Sequence, residues 1–224
     1  MMRRRARLLR PEGTGSELGS GGGFSGAERI PRDVARRIRL VILDVDGVLT
    51  DAGVYLGEDT EGRPIELKRF DIQDGLGLVL LREAGIHLAL VSGRVSPATA
   101  ARARELGIEE CHQEAGARKL PVVQGILERH GLSWDEAAML GDDLPDLPVF
   151  RRVGLPVAVA NAVSEVRREA LWTTRREGGR GAVREFSKVL LQSRGEWEER
   201  VDAYLAARDG DQFAASTATG GRRD

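Results

Sequence analysis

The chain has 224 residues, enough for one large core or two small ones, with 41% apolar and 31% charged residues. A formal net charge of −1 gives no general electrostatic pull toward nucleic acid or an acidic partner. The single cysteine, Cys111, excludes an intramolecular disulfide framework and a cysteine zinc cluster, and no apolar run reaches the length needed to cross a membrane.

Five arginines fall within the first ten residues, and the chain then runs through Gly19-Ser20-Gly21-Gly22-Gly23. Without apolar periodicity this stretch buries no core, so residues 1–35 are expected to be a disordered basic arm. A secretory signal needs an apolar segment after its basic start; none follows, and the expected location is cytoplasmic. Residues 36–205 are expected to form the folded domain and residues 206–224 a disordered tail.

Leu40-Val41-Ile42-Leu43 is a short unbroken apolar run leading into Asp44-Val45-Asp46-Gly47. It reads as a parallel strand buried on both faces, with the Asp-Gly step turning the chain away. In open α/β sheets chemistry sits beyond the carboxyl ends of strands, which is where Asp44 and Asp46 fall. Next, Val54-Tyr55-Leu56 and residues 65–70 flank a polar loop, and Ile65 and Leu67 alternate with Glu66 and Lys68. That pattern predicts a half-buried β-hairpin projecting over the site.

Residues 73–84 carry Leu76, Val79, Leu80 and Ala84 at helical spacing, stopped by Gly85. A second buried strand over 86–91 ends at Ser92-Gly93-Arg94. Pro97 starts a helix that closes at Gly107, a short strand follows near 110–112, and a helix over 118–130 carries Lys119 in its first turn. Ser133-Trp134-Asp135-Glu136 matches a capping box, and the strand over 137–140 stops at Gly141-Asp142-Asp143. A short helix ends near 153, and a fifth strand over 156–159 precedes helices over 163–170 and 182–191, with Trp197 and Tyr204 as a candidate extension. Strands alternating with helices predict a single α/β domain, a doubly wound parallel sheet with a hairpin inserted after the first strand.

Polar residues thus recur where buried strands end: Asp44 and Asp46, Ser92, Asp142 and Asp143, with Lys119 opening a helix. Several carboxylates in one crevice cannot all stay ionised without a cation. Oxygen ligands without clustered histidine or cysteine point to a hard ion, Mg²⁺ before Ca²⁺. With a hydroxyl and a lysine, this is the equipment of phosphoryl transfer. His87, His112 and His130 stand at no ligand spacing.

The four motifs, in order, resemble those of the haloacid dehalogenase superfamily: Asp44-Val45-Asp46-Gly47-Val48-Leu49-Thr50, then Ser92, Lys119 and Gly141-Asp142-Asp143. The resemblance implies that Asp44 is a nucleophile forming an aspartyl-phosphate and Asp46 the general acid and base. It implies a phosphate hydrogen bond from Ser92 and a phosphate contact from Lys119. Mg²⁺ would be held by Asp44, Asp142 and the carbonyl of Asp46, supported by Asp143. An acid at position 46 favours a phosphatase or phosphomutase over dehalogenases and transport ATPases.

The gaps between Thr50 and Ser92 and between Lys119 and Asp142 are too short for a cap domain. In this the chain is similar to the cap-less 3-deoxy-D-manno-octulosonate 8-phosphate phosphatase family. The likeness spans about residues 37–195 and includes Asp74-Gly75, residues 66–70, residues 141–148 and residues 178–185. It implies a Mg²⁺-dependent phosphatase acting on a small sugar phosphate, as a homotetramer in which hairpins of neighbouring subunits meet; from the charge and the apolar runs, no nucleic-acid or membrane partner is expected. The hairpin would be the lid a partner lends; packing on its own sheet is the other reading. Lys68, Arg94 and Arg180 are candidate ligands of a sugar-acid carboxylate, which arginine can bind through two hydrogen bonds, and each also fits a surface cation. A nonulosonate 9-phosphate phosphatase would carry the same motifs. A phospho-acceptor signalling domain also clusters acids, a hydroxyl and a lysine, but its acceptor follows a later strand.

Overall fold

The apolar run at 40–43 is β1 (Leu40–Leu43), every residue of it buried. A computed structural model of the chain describes residues 29–219, with side chains described for residues 29–209. Around β1 lie β4 (His87–Ser92), β5 (Glu110–Gln113), β6 (Ala137–Gly141), β7 (Leu155–Ala158) and β8 (Trp172–Thr173). They form one sheet in the order β5-β4-β1-β6-β7-β8, parallel throughout. The chain builds outward from β1 through β4 to β5, then returns to lay β6 on the other side of β1. The strand order therefore reverses between β1 and β6, the position at which doubly wound sheets open a crevice for ligands.

Helices cover the sheet in two groups. On one side α2 (Ile72–Glu83) lies along α7 (Ala182–Arg194), flanked by α1 (Arg32–Arg37) and α8 (Trp197–Thr219). On the other, α4 (Lys119–His130), α5 (Leu147–Phe150) and α6 (Ser164–Glu169) pack in sequence. The remaining helix, α3 (Pro97–Leu106), contacts α2. Burial of α7 falls on Ala182, Val183, Phe186, Ser187, Leu190 and Leu191, the stripe that a helix lays against a sheet. The Ser133–Glu136 capping box is present, with Glu136 accepting from Ser133 N at 3.0 Å.

Two expected boundaries move. Ile30 is buried and α1 starts directly after Pro31, so ordered structure begins before residue 36. Ile30, Ala35 and Ile38 are buried and Val34 packs against the core, which docks this short helix. At the other end α8 runs through residue 206 to Thr219; Gly195, at φ +83°, separates it from α7, so Trp197 and Tyr204 belong to a new helix. The rest of the expected arm and tail, residues 1–28 and 220–224, lies outside the described residues.

The hairpin is β2 (Tyr55–Glu58) and β3 (Pro64–Leu67), antiparallel with Tyr55 opposite Leu67. Its turn is held by the Asp59 carboxylate, which accepts from Glu61 N at 2.8 Å and Arg63 N at 2.9 Å. It forms a separate two-stranded sheet with its apolar side chains in solvent, Leu56 at 79% and Leu67 at 59% exposure, which departs from the reading that packs it on its own sheet and from a half-buried strand. An isolated two-stranded ribbon has no face of its own to hide them.

Candidate active site

Asp44 leaves β1 at the reversal point, its N–H donating to Leu140 O of β6 at 3.1 Å. The chain then makes one wide turn, closed by Thr50 N donating to Val45 O at 3.0 Å. Gly47 sits in that turn at φ +101°, and a Cβ there would collide with the Asp142 carboxylate. Only glycine gives both the left-handed backbone and the close approach. Gly178 closes the turn from behind: its N–H donates to Asn161 Oδ1 at 2.7 Å, while Asn161 Nδ2 donates to the Gly47 carbonyl at 3.1 Å.

Lys119 opens α4 and reaches into the crevice, where its ammonium donates to Asp44 Oδ1 and to Asp146 Oδ1, both at 2.6 Å. All three groups are buried. Burial alone would lower the lysine's pKa; the two carboxylates outweigh it and hold it above its usual value. The second oxygen of Asp146 accepts from Asp142 N at 2.9 Å and Asp143 N at 3.4 Å, fixing the loop after β6.

Asp44, Asp142 and Asp146 bring one carboxylate oxygen each within 4.8 Å of the others, the one such acid, histidine or cysteine group among the described residues. Burial pushes Asp44 up to about 6, Lys119 opposing and Asp146 adding to the shift. Burial and the neighbouring Asp44 and Asp146 charges push Asp142 up to about 8. Asp142 Oδ1 is buried without a hydrogen-bond partner. A buried, unpaired oxygen beside two further carboxylates fits an oxygen-loving divalent cation. The cavity above them measures about 320 Å³ and is also lined by Asp46, Ala52, Arg94 and Ala117. Ala52 and Ala117 have φ of +61° and +52°, a conformation that costs an alanine energy and that gathers at functional sites.

A sequence model of haloacid dehalogenase-like hydrolases matches residues 113–185, the stretch that holds Lys119, Asp142 and Asp146. The chain is 41% identical over 165 residues to the 3-deoxy-D-manno-octulosonate 8-phosphate phosphatase KdsC of Escherichia coli (strain K12), covering 74% of this chain and 85% of that one. The chain belongs to this phosphatase family. Among solved structures, the 3-deoxy-D-manno-octulosonate 8-phosphate phosphatase of Moraxella catarrhalis, in complex with magnesium, phosphate and KDO, superimposes with a TM-score of 0.70 at 37% identity, covering 79% of this chain and 96% of that one. The cobalt-bound deoxy-D-mannose-octulosonate 8-phosphate phosphatase of Haemophilus influenzae gives 0.66 at 36% identity, covering 73% and 93%.

Of the residues expected from the family, Asp44, Asp46, Lys119, Asp142 and Asp143 all line one cavity, but Asp143 does not join the close carboxylate group. Its side chain is exposed and accepts from Leu144 N at 2.7 Å, while Asp146 occupies the inner position. The helical turn after β6 explains the exchange, since a residue four positions after Asp142 folds back beneath it; the Asp142-x-x-x-Asp146 spacing was the available signal. Ser92 is buried, and its hydroxyl both donates to Arg94 O and accepts from Arg94 N at 3.1 Å, so it shapes the loop that carries Arg94.

Arg94 lines the cavity but is paired with Glu66 of β3 at 2.8 Å. Arg180, 56% exposed, stands 3.6 Å from Asp51 at the base of the hairpin. Lys68 departs from its expected role as a ligand for a substrate carboxylate: its side chain is fully buried, does not line the cavity, and donates to Asp46 Oδ1 at 2.7 Å. The three histidines gather at the opposite end of the sheet, His112 and His130 on Glu110 at 2.6 and 3.2 Å and the His87 ring 4.3 Å from that of His130.

Proposed function

We propose that this protein is a Mg²⁺-dependent phosphatase that hydrolyses 3-deoxy-D-manno-octulosonate 8-phosphate to the free sugar acid and phosphate through an aspartyl-phosphate on Asp44. The observation that carries the reading is the buried Asp44–Lys119–Asp146 bridge at the strand-order reversal, with Asp142 and Asp46 on the same cavity. The relatives reported above are named for this substrate, and the stretch matched by the hydrolase model holds Lys119, Asp142 and Asp146.

Asp44 attacks phosphorus while the leaving alcohol takes a proton from Asp46. Asp46 then removes a proton from the water that attacks the phosphoenzyme, which frees phosphate and restores Asp44. The Lys119 ammonium, held in place by Asp146, keeps Asp44 aligned and offsets charge on the transferring group. Asp44 and Asp142 would hold magnesium, which supplies further positive charge to the phosphoryl oxygens when bound. Arg94, released from Glu66, and Arg180 are the cations available to a sugar-acid carboxylate.

Among the described residues no cap domain covers the crevice, and the hairpin exposes Tyr55, Leu56, Leu67 and, nearby, Ile72. We assign these side chains to contacts between copies of the chain in a homotetramer, whose neighbours complete the lid. A lone thiol and the absence of a disulfide framework suit a cytoplasmic location. Phosphate release with Mg²⁺ on the eight-carbon substrate, on a nonulosonate 9-phosphate and on a small aryl phosphate tests the substrate. We expect the highest kcat/KM on the eight-carbon compound and no turnover in excess chelator. Preference for the nine-carbon acid would overturn the substrate, and turnover in chelator would overturn the metal dependence.

A further inference from the structure

We infer that Lys68 is a positioning residue for the Asp46 carboxylate, delivered to it by the hairpin. Four observations meet here. Among the described residues Lys68 is the one side chain that hydrogen-bonds the Asp46 carboxylate, at 2.7 Å. Its side chain is fully buried while that of Asp46 keeps 19% exposure, so the ammonium approaches from behind and leaves the other side of the carboxylate open to the cavity. Lys68 is itself fixed by Thr99 Oγ1 at 3.5 Å and by Glu66 Oε1 at 3.7 Å. Finally, alternation along and just beyond β3 turns Glu66 and Lys68 to the protein while Ile65 and Leu67 face outward.

An aspartate has two soft torsions, and a carboxylate that must give and then take a proton at one point in space works only in a narrow range of both. A buried ammonium on its far oxygen restricts that range without occupying the side that meets the leaving group or the water. A lysine that bound substrate would show its ammonium to the cavity, and this one does not.

The inference rests on Asp46 acting as acid and base, and a double-variant cycle separates the two. Lys68→Met, Asp46→Asn and the double variant are assayed on the sugar-acid phosphate and on an activated aryl phosphate. Lys68→Met is expected to lower kcat by about tenfold to a hundredfold with KM changed by less than about threefold. In the Asp46→Asn background the same change is expected to alter kcat by less than about twofold, because its target is gone. The double variant contains no orphaned carboxylate at position 46, so this comparison stands even if the single variant is poorly folded. A raised KM with unchanged kcat, or losses that add fully in the double variant, would overturn the positioning role. Wild-type kcat in Asp46→Asn alone would instead overturn the acid–base reading beneath it.

Discussion

At the scale of single residues, the site balances three carboxylates against one ammonium. Asp44 at about 6 and Asp142 at about 8 lie above the usual aspartate value of 3.8, so the cation-free folded protein binds more protons than the unfolded chain through this range. Stability of the chelated protein should therefore fall as pH rises from about 4 to about 8, the direction opposite to a salt-bridged surface acid. Magnesium should reverse that trend near neutrality. Binding near neutrality should release protons from the Asp44 and Asp142 carboxyls, both raised by burial, and weaken as pH is lowered. Calorimetry in two buffers of different ionisation enthalpy measures the release; binding with no proton released would contradict the placement of Asp142. Asp44, Asp46, Lys119 and Asp142 were legible because each ends a strand or opens a helix beside a recognisable pattern. Asp146, Asn161 and Glu66 were not, since their roles come from a folded-back turn, a loop crossing and a hairpin docked from a distance.

At the scale of elements, one buried acid ties two helices to the site. Asp74 of α2 accepts from Arg184 N at 2.7 Å and Gly181 N at 3.3 Å, satisfying donors at the start of α7 from another helix. The preceding loop contains Gly178 and Gly179, which brace the turn that follows Asp44. Burial raises Asp74 to about 6, its hydrogen bond from the Arg184 backbone opposing the shift. Asp74→Ala should cost about 1–2 kcal/mol, the scale of a lost helix cap, and Asp74→Asn less, because the amide oxygen keeps one acceptor. Urea unfolding checks the order, and equal stability of the two variants would contradict it. The Asp74-Gly75 pair was visible in the sequence as part of a family likeness, but the contact crosses 110 positions and no local pattern encodes it. Strands and helices were legible from periodicity; β8 was not, because two residues carry no period, and neither was α1, which is a single turn and a half.

At the scale of the whole molecule, the sheet supplies the chemistry and the hairpin supplies the surface. None of the helices among the described residues is long and apolar enough to cross a membrane. The exposed apolar side chains concentrate on the hairpin and beside it, at Tyr55, Leu56, Leu67 and Ile72. Val54→Asp with Leu67→Asp should give a folded monomer, since neither side chain supports the core. That monomer should lose most of its kcat/KM on the sugar-acid phosphate and keep much of its slower aryl phosphatase activity, which needs little recognition. Sedimentation paired with kinetics decides it: a variant that stays assembled, or a monomer with full efficiency, would show that the hairpin is not the missing lid. The doubly wound architecture was readable from alternation alone. That the domain leaves the hairpin's apolar side chains uncovered was legible from the short gaps that hold no cap; what meets those side chains was not, because an alternating pattern names no partner.

In the proposed reaction Asp44 carries the phosphoryl group between the two half-reactions. Acid quenching of the Mg²⁺-loaded Asp46→Asn variant during turnover of an activated aryl phosphate, followed by mass spectrometry of its peptides, tests this directly. The first half-reaction still proceeds with a good leaving group and the second is slowed, so the covalent species accumulates. A phosphoryl group on the peptide containing Asp44, abolished by Asp44→Asn, is the predicted result. Turnover with no phosphorylated peptide, or a phosphoryl group on another residue, would exclude Asp44 as the nucleophile.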